Sequence, residues 1–228
     1  MERESTPTPT DIIVEENWAS FKARLGVFSE KWRGKIEFAY DLAKDIHRPQ
    51  FRKDGTTPFF DHPRGAAIIL LDEVGVKAPT IIIAALLHDA VEDSVVFGNY
   101  DGVAYNEWIR MARSRITPYF GERVANLVIA LTKPKVDGKE IKDKEQAMEI
   151  YFRNLSSNPD ALLIKMADRL HNLRDIKGLT TEEKKKLVEE TRERYFGLFE
   201  NAKQRYPKET EYLLSKMLEA IDKIEKNH

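Results

Sequence analysis

Pro79-Thr80-Ile81-Ile82-Ile83-Ala84-Ala85-Leu86-Leu87-His88-Asp89-Ala90-Val91-Glu92-Asp93 is the stretch on which the fold is decided. Pro79 stands where a helix begins, because its missing N–H is one that no helix satisfies. The residues up to Leu87 are apolar on nearly every side, which marks a helix that is buried rather than laid on a surface. This helix is expected to reach Glu92. Four ionisable groups crowd its end. Spacing of four puts His88 and Glu92 on one face, and Asp89 and Asp93 one step round. So many charges at the end of a buried helix are costly without a partner, and a bound cation is the natural compensation.

Working outward, His62 precedes Pro63 at the start of the preceding helix, and Asp168 lies in Lys165-Met166-Ala167-Asp168-Arg169-Leu170-His171-Asn172. Two imidazoles and two carboxylates form a mixed nitrogen and oxygen set, which suits Mn²⁺, Fe²⁺ or Zn²⁺ better than Ca²⁺. The chain has no cysteine, so thiolate ligands and disulfides are excluded. Asp168 and Asn172, also four apart, share a face and can serve a metal and a substrate hydroxyl together. A metal here would polarise a phosphoryl oxygen and acidify water, and Glu92 or Asp93 would relay protons. On a helix rising ~1.5 Å per residue, each acid stands about 6 Å beyond its partner, too far for all four to share one ion. The plainer readings are that Glu92 and Asp93 open a solvated loop and that Asp168-Arg169 is a surface ion pair. His171 reads as donating a structural hydrogen bond inside the core, and His47 and His228 carry no assigned role.

The rest of the chain reads as helix. Segments 29–46, 63–74, 105–119, 121–131, 143–156, 159–176, 181–205 and 208–226 are amphipathic or apolar at helical spacing, and Gly75 closes the second. Residues 1–14 read as a flexible tail, and 15–228 as a single domain. Pro134 and Gly138 break the pattern, and one short β-hairpin over 134–141 is allowed. The fold class is therefore all-α. With 37 Lys+Arg against 38 Asp+Glu, the formal net charge is -1. That argues against a general nucleic-acid or membrane-surface coat, so a phosphate ligand needs a local basic patch. No apolar run is long enough to span a bilayer, and the N-terminus lacks the apolar core of a secretory signal. The default location is the cytoplasm.

These blocks resemble a known family. Phe60-Asp61-His62-Pro63 followed by Ala84-Ala85-Leu86-Leu87-His88-Asp89-Ala90-Val91-Glu92-Asp93-Ser94 looks like the HD-superfamily signature. More narrowly it is similar to the hydrolase domain of the RelA/SpoT alarmone enzymes and the small alarmone hydrolases. Arg52-Lys53-Asp54-Gly55, Phe120-Gly121-Glu122-Arg123-Val124, Leu131-Thr132-Lys133, the Lys165–Asn172 block and Glu190-Thr191 with Tyr195 continue the resemblance in order. It implies an HD-domain helical bundle and one Mn²⁺ on His62, His88, Asp89 and Asp168. It also implies an acid pair, Glu92 and Asp93, that positions and activates water. Arg52, Lys53, Asn172, Tyr195 and Arg169 would contact a nucleotide. The implied reaction removes the 3′-pyrophosphate of a guanosine alarmone such as (p)ppGpp, or its adenosine analogue.

Departures fall on the nucleotide side: Thr56-Thr57 adds a residue before Pro58, Phe59 replaces the usual Tyr, and the loop over 95–105 is long. Two other readings stay open. One is an HD phosphohydrolase for another phosphate ester, such as a nucleoside monophosphate or a nicotinamide dinucleotide 2′-phosphate. The other is a nucleotide-binding module without turnover. The chain reads as a stand-alone hydrolase; oligomeric state is left open.

Overall fold

The computed structural model describes residues 18–226, so the expected tail over 1–14 lies outside the described residues. The helices are residues 18–23 (α1), Glu30–Ile46 (α2), Asp61–Ile68 (α3), Pro79–Leu86 (α4), Tyr105–Phe120 (α5) and Glu122–Leu131 (α6). They continue with Lys144–Ser156 (α7), Pro159–Arg174 (α8), Thr181–Glu190 (α9), Phe196–Phe199 (α10) and Pro207–Lys226 (α11). Among the described residues there is no strand; a lone antiparallel bridge joins Phe51 to Pro58. The all-α expectation holds.

The hairpin allowed over 134–141 does not form. The Asp137 carboxylate accepts the amides of Lys139, Glu140 and Ile141 at 2.8–2.9 Å, and the Ile141 carbonyl accepts those of Asp137 and Gly138. One side chain thus takes the donors that a strand ladder would need, and the segment becomes an Asp-anchored loop. The helix expected over 181–205 is also interrupted. A π-turn at Thr191–Tyr195 inserts a residue, and a 3-10 turn follows at Glu200–Gln204. The π-turn brings Tyr195 and Phe199 inward, both fully buried with ring centroids 5.6 Å apart. A second π-turn, Ile69–Glu73, extends α3 and is closed by Gly75 at φ +74°, where a side chain would be strained.

α4 and α8 are the centre of the bundle. Ile81 through Leu86 are all buried, and each large aliphatic side chain among them contributes about 1.5–3 kcal/mol. α8 packs against α3, α4, α6, α7 and α11, so it has protein on every side. Asp160 through Leu170 are buried without a break. A helix so enclosed must begin well. Pro159 occupies its first position and the Asn158 side chain accepts the amides of Asp160 and Ala161 at 3.1 and 3.2 Å. Asn158→Ala is expected to cost about 1 kcal/mol and to lower the melting temperature by about 2–4 °C. Asn158→Asp should hold it near wild type; calorimetry of both variants checks the cap.

Candidate metal centre

α4 stops earlier than its apolar pattern suggests. The helix was expected to reach Glu92, but it ends at Leu86, and residues 87–93 form irregular turns. The reason is local. The His88 imidazole donates from Nδ1 to the Ala85 carbonyl at 2.7 Å, competing for the acceptor that the Asp89 amide would use in a continuing helix. The chain then turns through bonds from Ala90 to the Leu87 carbonyl and from Asp93 to the Asp89 carbonyl. The regular-helix argument for the spacing of the acids therefore does not apply.

The same bond directs His88 Nε2 at the site. Nε2 lies 3.3 Å from His62 Nε2 and 3.1 Å from Asp89 Oδ2. His62, on the first turn of α3, reaches Asp89 Oδ2 at 3.6 Å. His62, His88 and Asp89 offer ligand atoms that all lie within 4.8 Å of one another. Asp168 is not within that mutual limit, but its Oδ1 sits against both imidazoles, 2.9 Å from His62 Nε2 and 3.6 Å from His88 Nε2. With bonds of ~2.0–2.2 Å, neighbouring ligand atoms around one divalent cation are roughly 2.8–3.6 Å apart. These five separations fall in that range, and two imidazoles with two carboxylates fit a first-row divalent ion.

The surroundings support those ligands. His62 Nδ1 faces His171 Nδ1 at 3.1 Å. Burial holds the His171 pKa down to about 3, so the ring is neutral and accepts a hydrogen bond from His62 Nδ1, whereas His171 was expected to donate one. Asp168 Oδ1 also accepts from Asn172 at 2.9 Å. Its Oδ2 meets the Lys165 ammonium at 2.5 Å, off the line of a hydrogen bond and hence as an ion pair. Burial opposes the charge on Asp168, yet Lys165 and the two imidazoles hold its carboxyl well below the ordinary range. Burial lowers His62, whereas at His88 Asp89 and Asp168 outweigh burial and raise it. Lys165 was not singled out in the sequence, although it lies three residues before Asp168 on the same helical face.

The acids stand beside this cluster. The Glu92 carboxylate accepts the Lys133 amide at 2.6 Å, and burial raises its pKa. Asp93 is exposed at its surface; crowding by protein and then the charge of Asp89 raise its carboxyl, an effect that solvent moderates. On the other side, Arg52 donates to Asp175 at 2.7 Å and to Asn172 at 3.0 Å. Lys53 is exposed and pairs with Glu183 at 3.0 Å. A cleft of about 360 Å³ opens here, lined by Arg52, Lys53, Asn172, Lys177, Leu187 and Glu190 among others. Arg169 and Tyr195 are not on its wall. Tyr195 is fully buried, with the Arg169 guanidinium 4.0 Å from its ring centroid, and Arg169 bonds to Glu190 at 3.1 Å.

The family profile described as "HD domain" matches residues 39–202. The chain belongs to the HD-domain family. It is 38% identical over 167 residues to a guanosine-3′,5′-bis(diphosphate) 3′-pyrophosphohydrolase of Aquifex aeolicus, covering 72% of this chain and 21% of that protein. It is 36% identical over 149 residues to the human guanosine-3′,5′-bis(diphosphate) 3′-pyrophosphohydrolase MESH1, covering 63% of this chain and 70% of that protein. This chain thus spans about a fifth of the bacterial relative and most of the human one. A solved structure described as a metazoan ortholog of SpoT that hydrolyzes ppGpp shares the fold at a TM-score of 0.60 and 25% identity. The match covers 81% of this chain and 94% of that one. His62, His88, Asp89 and Asp168, expected from the resemblance to hold the metal, are brought together by α3, the turn after α4 and α8. No described helix is long and apolar enough to cross a membrane.

Gly65 keeps this site open. A Cβ there would lie 2.1 Å from the His171 ring. Gly65→Ala is expected to displace His171, remove the partner of His62 Nδ1 and weaken divalent-metal binding by about 10–100-fold. Isothermal titration with Mn²⁺, read beside a thermal melt, checks this; unchanged affinity would contradict the role given to His171.

Proposed function

We propose that this chain hydrolyses the 3′-pyrophosphate of (p)ppGpp-like nucleotides in the cytoplasm. It would depend on Mn²⁺ and release pyrophosphate with GDP or GTP, or the adenosine equivalents. The observation that carries the reading is the buried cluster of His62, His88, Asp89 and Asp168, joined through Asn172 to Arg52 at the head of the cleft. Similarity to enzymes named for this reaction supports the substrate.

In this reading His62, His88, Asp89 and Asp168 hold one divalent ion, which supplies Lewis acidity to a phosphoryl oxygen and acidifies water. The other steps fall to the chain. Arg52 and Lys53 bind phosphate oxygens and orient the nucleotide, with Asn172 at the ribose. Glu92 and Asp93 take the proton from the attacking water and return one to the ribose 3′-oxygen as the P–O3′ bond breaks. The water's oxygen leaves on pyrophosphate. A carboxyl raised by burial, as at Glu92, is closer to the neutral pH at which it must both accept and give a proton. Arg169 and Tyr195 support the pocket from behind, Arg169 through its bond to Glu190 on the cleft wall. The decisive experiment incubates Mn²⁺-loaded protein with ppGpp, ppApp and NADPH and measures pyrophosphate against orthophosphate. Pyrophosphate from the first two supports the proposal; orthophosphate alone would sink it.

Two variant sets resolve the roles. Glu92→Gln and Asp93→Asn are each expected to lose ~10²–10⁴-fold in kcat while binding Mn²⁺ and melting like wild type, and Asp168→Asn is expected to lose the metal. Near-normal turnover in both acid variants would remove them from the mechanism. Arg52 is already oriented by Asp175 and Asn172, so its contact is made in the ground state as well as the transition state. Arg52→Ala should raise KM by about 10–100-fold, the worth of a charged hydrogen bond, and lower kcat much less. Steady-state kinetics separates this from a collapse of kcat at constant KM.

A further inference from the structure

Because α4 ends at Leu86, the turn carrying the two acids has carbonyls that no helical amide takes. Two of them are capped by side chains from remote segments. The Asp93 carbonyl accepts from Gln50 Nε2 at 3.2 Å, and the Glu92 carbonyl accepts from Lys135 Nζ at 2.9 Å. Gln50 follows α2 and Lys135 follows α6, so the acid turn is held from two separate parts of the fold.

Each cap is itself held. Gln50 Oε1 accepts from His47 Nδ1 at 2.7 Å, and the Gln50 carbonyl accepts the Phe59 amide at 2.9 Å. His47 is 1% exposed, its ring lies 4.8 Å from that of Phe59, and its Nε2 has no hydrogen-bond partner among the described residues. Burying an unpaired ring nitrogen carries a cost that an apolar side chain of similar size avoids. The one hydrogen bond of this imidazole among the described residues is the one that orients Gln50, and the ring also acts on Asp93 through its charge. The Lys135 ammonium sits 3.6 Å from the Tyr100 ring centroid and 5.7 Å from that of Trp108. Trp108 is buried and donates to the Gly98 carbonyl at 3.2 Å, so the aromatic seat of Lys135 is tied to the long loop after the HD turn.

We propose that Gln50, oriented by His47, and Lys135, seated on Tyr100, are positioning residues that hold Glu92 and Asp93 in register by capping the turn that bears them. This rests on the proton-transfer role given to those acids. Neither cap touches a metal ligand or lines the cleft, so each should act on turnover and leave metal and nucleotide binding alone.

The test compares Gln50→Met, Lys135→Met, His47→Leu and His47→Asn with wild type in the Mn²⁺-loaded full chain. Measured are kcat and KM for ppGpp, Mn²⁺ affinity, melting temperature and amide hydrogen exchange over residues 88–94. Misplacing a reacting group by about 1 Å costs on the order of 10²-fold, so a loosened turn should lower kcat by about 10–100-fold. KM should stay within about twofold, Mn²⁺ affinity should be unchanged, and exchange at 92–94 should quicken. His47→Asn keeps a donor near Nδ1 and should recover most of the kcat that His47→Leu loses. Unchanged kcat, a loss that follows Mn²⁺ affinity or melting temperature, or equal loss in Asn and Leu would overturn the proposal. Exchange needs no substrate. If wild type releases no pyrophosphate, the proposed function fails alone, whereas unchanged exchange in the variants refutes the caps.

Discussion

A carboxylate buried in the middle of a helix enclosed by its neighbours is the constraint around which this site is arranged. Asp168 could not stay ionised there on burial alone; transferring it from water without partners is prohibitive. It is kept charged by the Lys165 ammonium, two imidazoles and the Asn172 amide. These partners are also what makes the place useful. The imidazole nitrogens that face the carboxylate are atoms that would ligate a metal once deprotonated, so a cation entering the cluster would replace their protons as the compensating charge. Removing either member of a buried pair leaves the other uncompensated, which is more damaging than never having had the pair. Stability and chemistry here draw on the same groups.

The cleft is coupled to that carboxylate through one amide. Asn172 donates to Asp168 and accepts from Arg52, and Arg52 also donates to Asp175 just past the end of α8. The loop bearing Arg52 and Lys53 is then closed on itself. The Asp54 carboxylate accepts the amides of Thr56 and Thr57 and the Thr57 hydroxyl, and this absorbs the additional residue of the loop in a tight turn. It is also pressed against the segment after α8. Gly178, at φ +79°, brings its Cα so near that a Cβ would lie 2.4 Å from the Asp54 amide nitrogen. Only glycine permits that approach. The width of the cleft is therefore set by backbone packed on backbone, and its cations are held before any ligand arrives.

Much of this was legible in the sequence, for identifiable reasons. Apolar periodicity and Pro at the starts of α4, α8 and α11 mark the helices, and the HD residues share a resemblance specific enough to be read as one site. The errors lie where a side chain takes over the backbone's hydrogen bonding. The His88 imidazole claims the Ala85 carbonyl and ends α4 six residues early; Asp137 takes three amides and prevents a hairpin. Neither event alters hydrophobic periodicity, the signal from which helix ends were inferred. His47 carried no signal at all, because its partner Gln50 matters only once the remote turn at Asp93 is in place. The π-turn at Tyr195 is invisible for the same reason: one inserted residue changes the phase of a helix but hardly its composition.

The early end of α4 also changes why the acids and the ligands are distinct. On an unbroken helix the separation would come from rise alone. In the turn that forms instead, distance along an axis gives no such guarantee, and carboxylates on a mobile turn would be free to swing onto a cation beside them. What keeps Glu92 out of the cluster is an anchor of its own: its carboxylate is engaged by the Lys133 amide, while the backbone around it is capped at both carbonyls. Asp89, lacking such an anchor, turns instead to His88 and His62 and becomes part of the ligand group. In the proposed mechanism, the division between groups that would hold a cation and groups that would move protons is thus made by hydrogen bonds from the segments after α2 and α6 to a few residues of irregular chain. Turning the chain at Leu87 brings those carbonyls to Gln50 and Lys135, side chains from segments remote in the sequence.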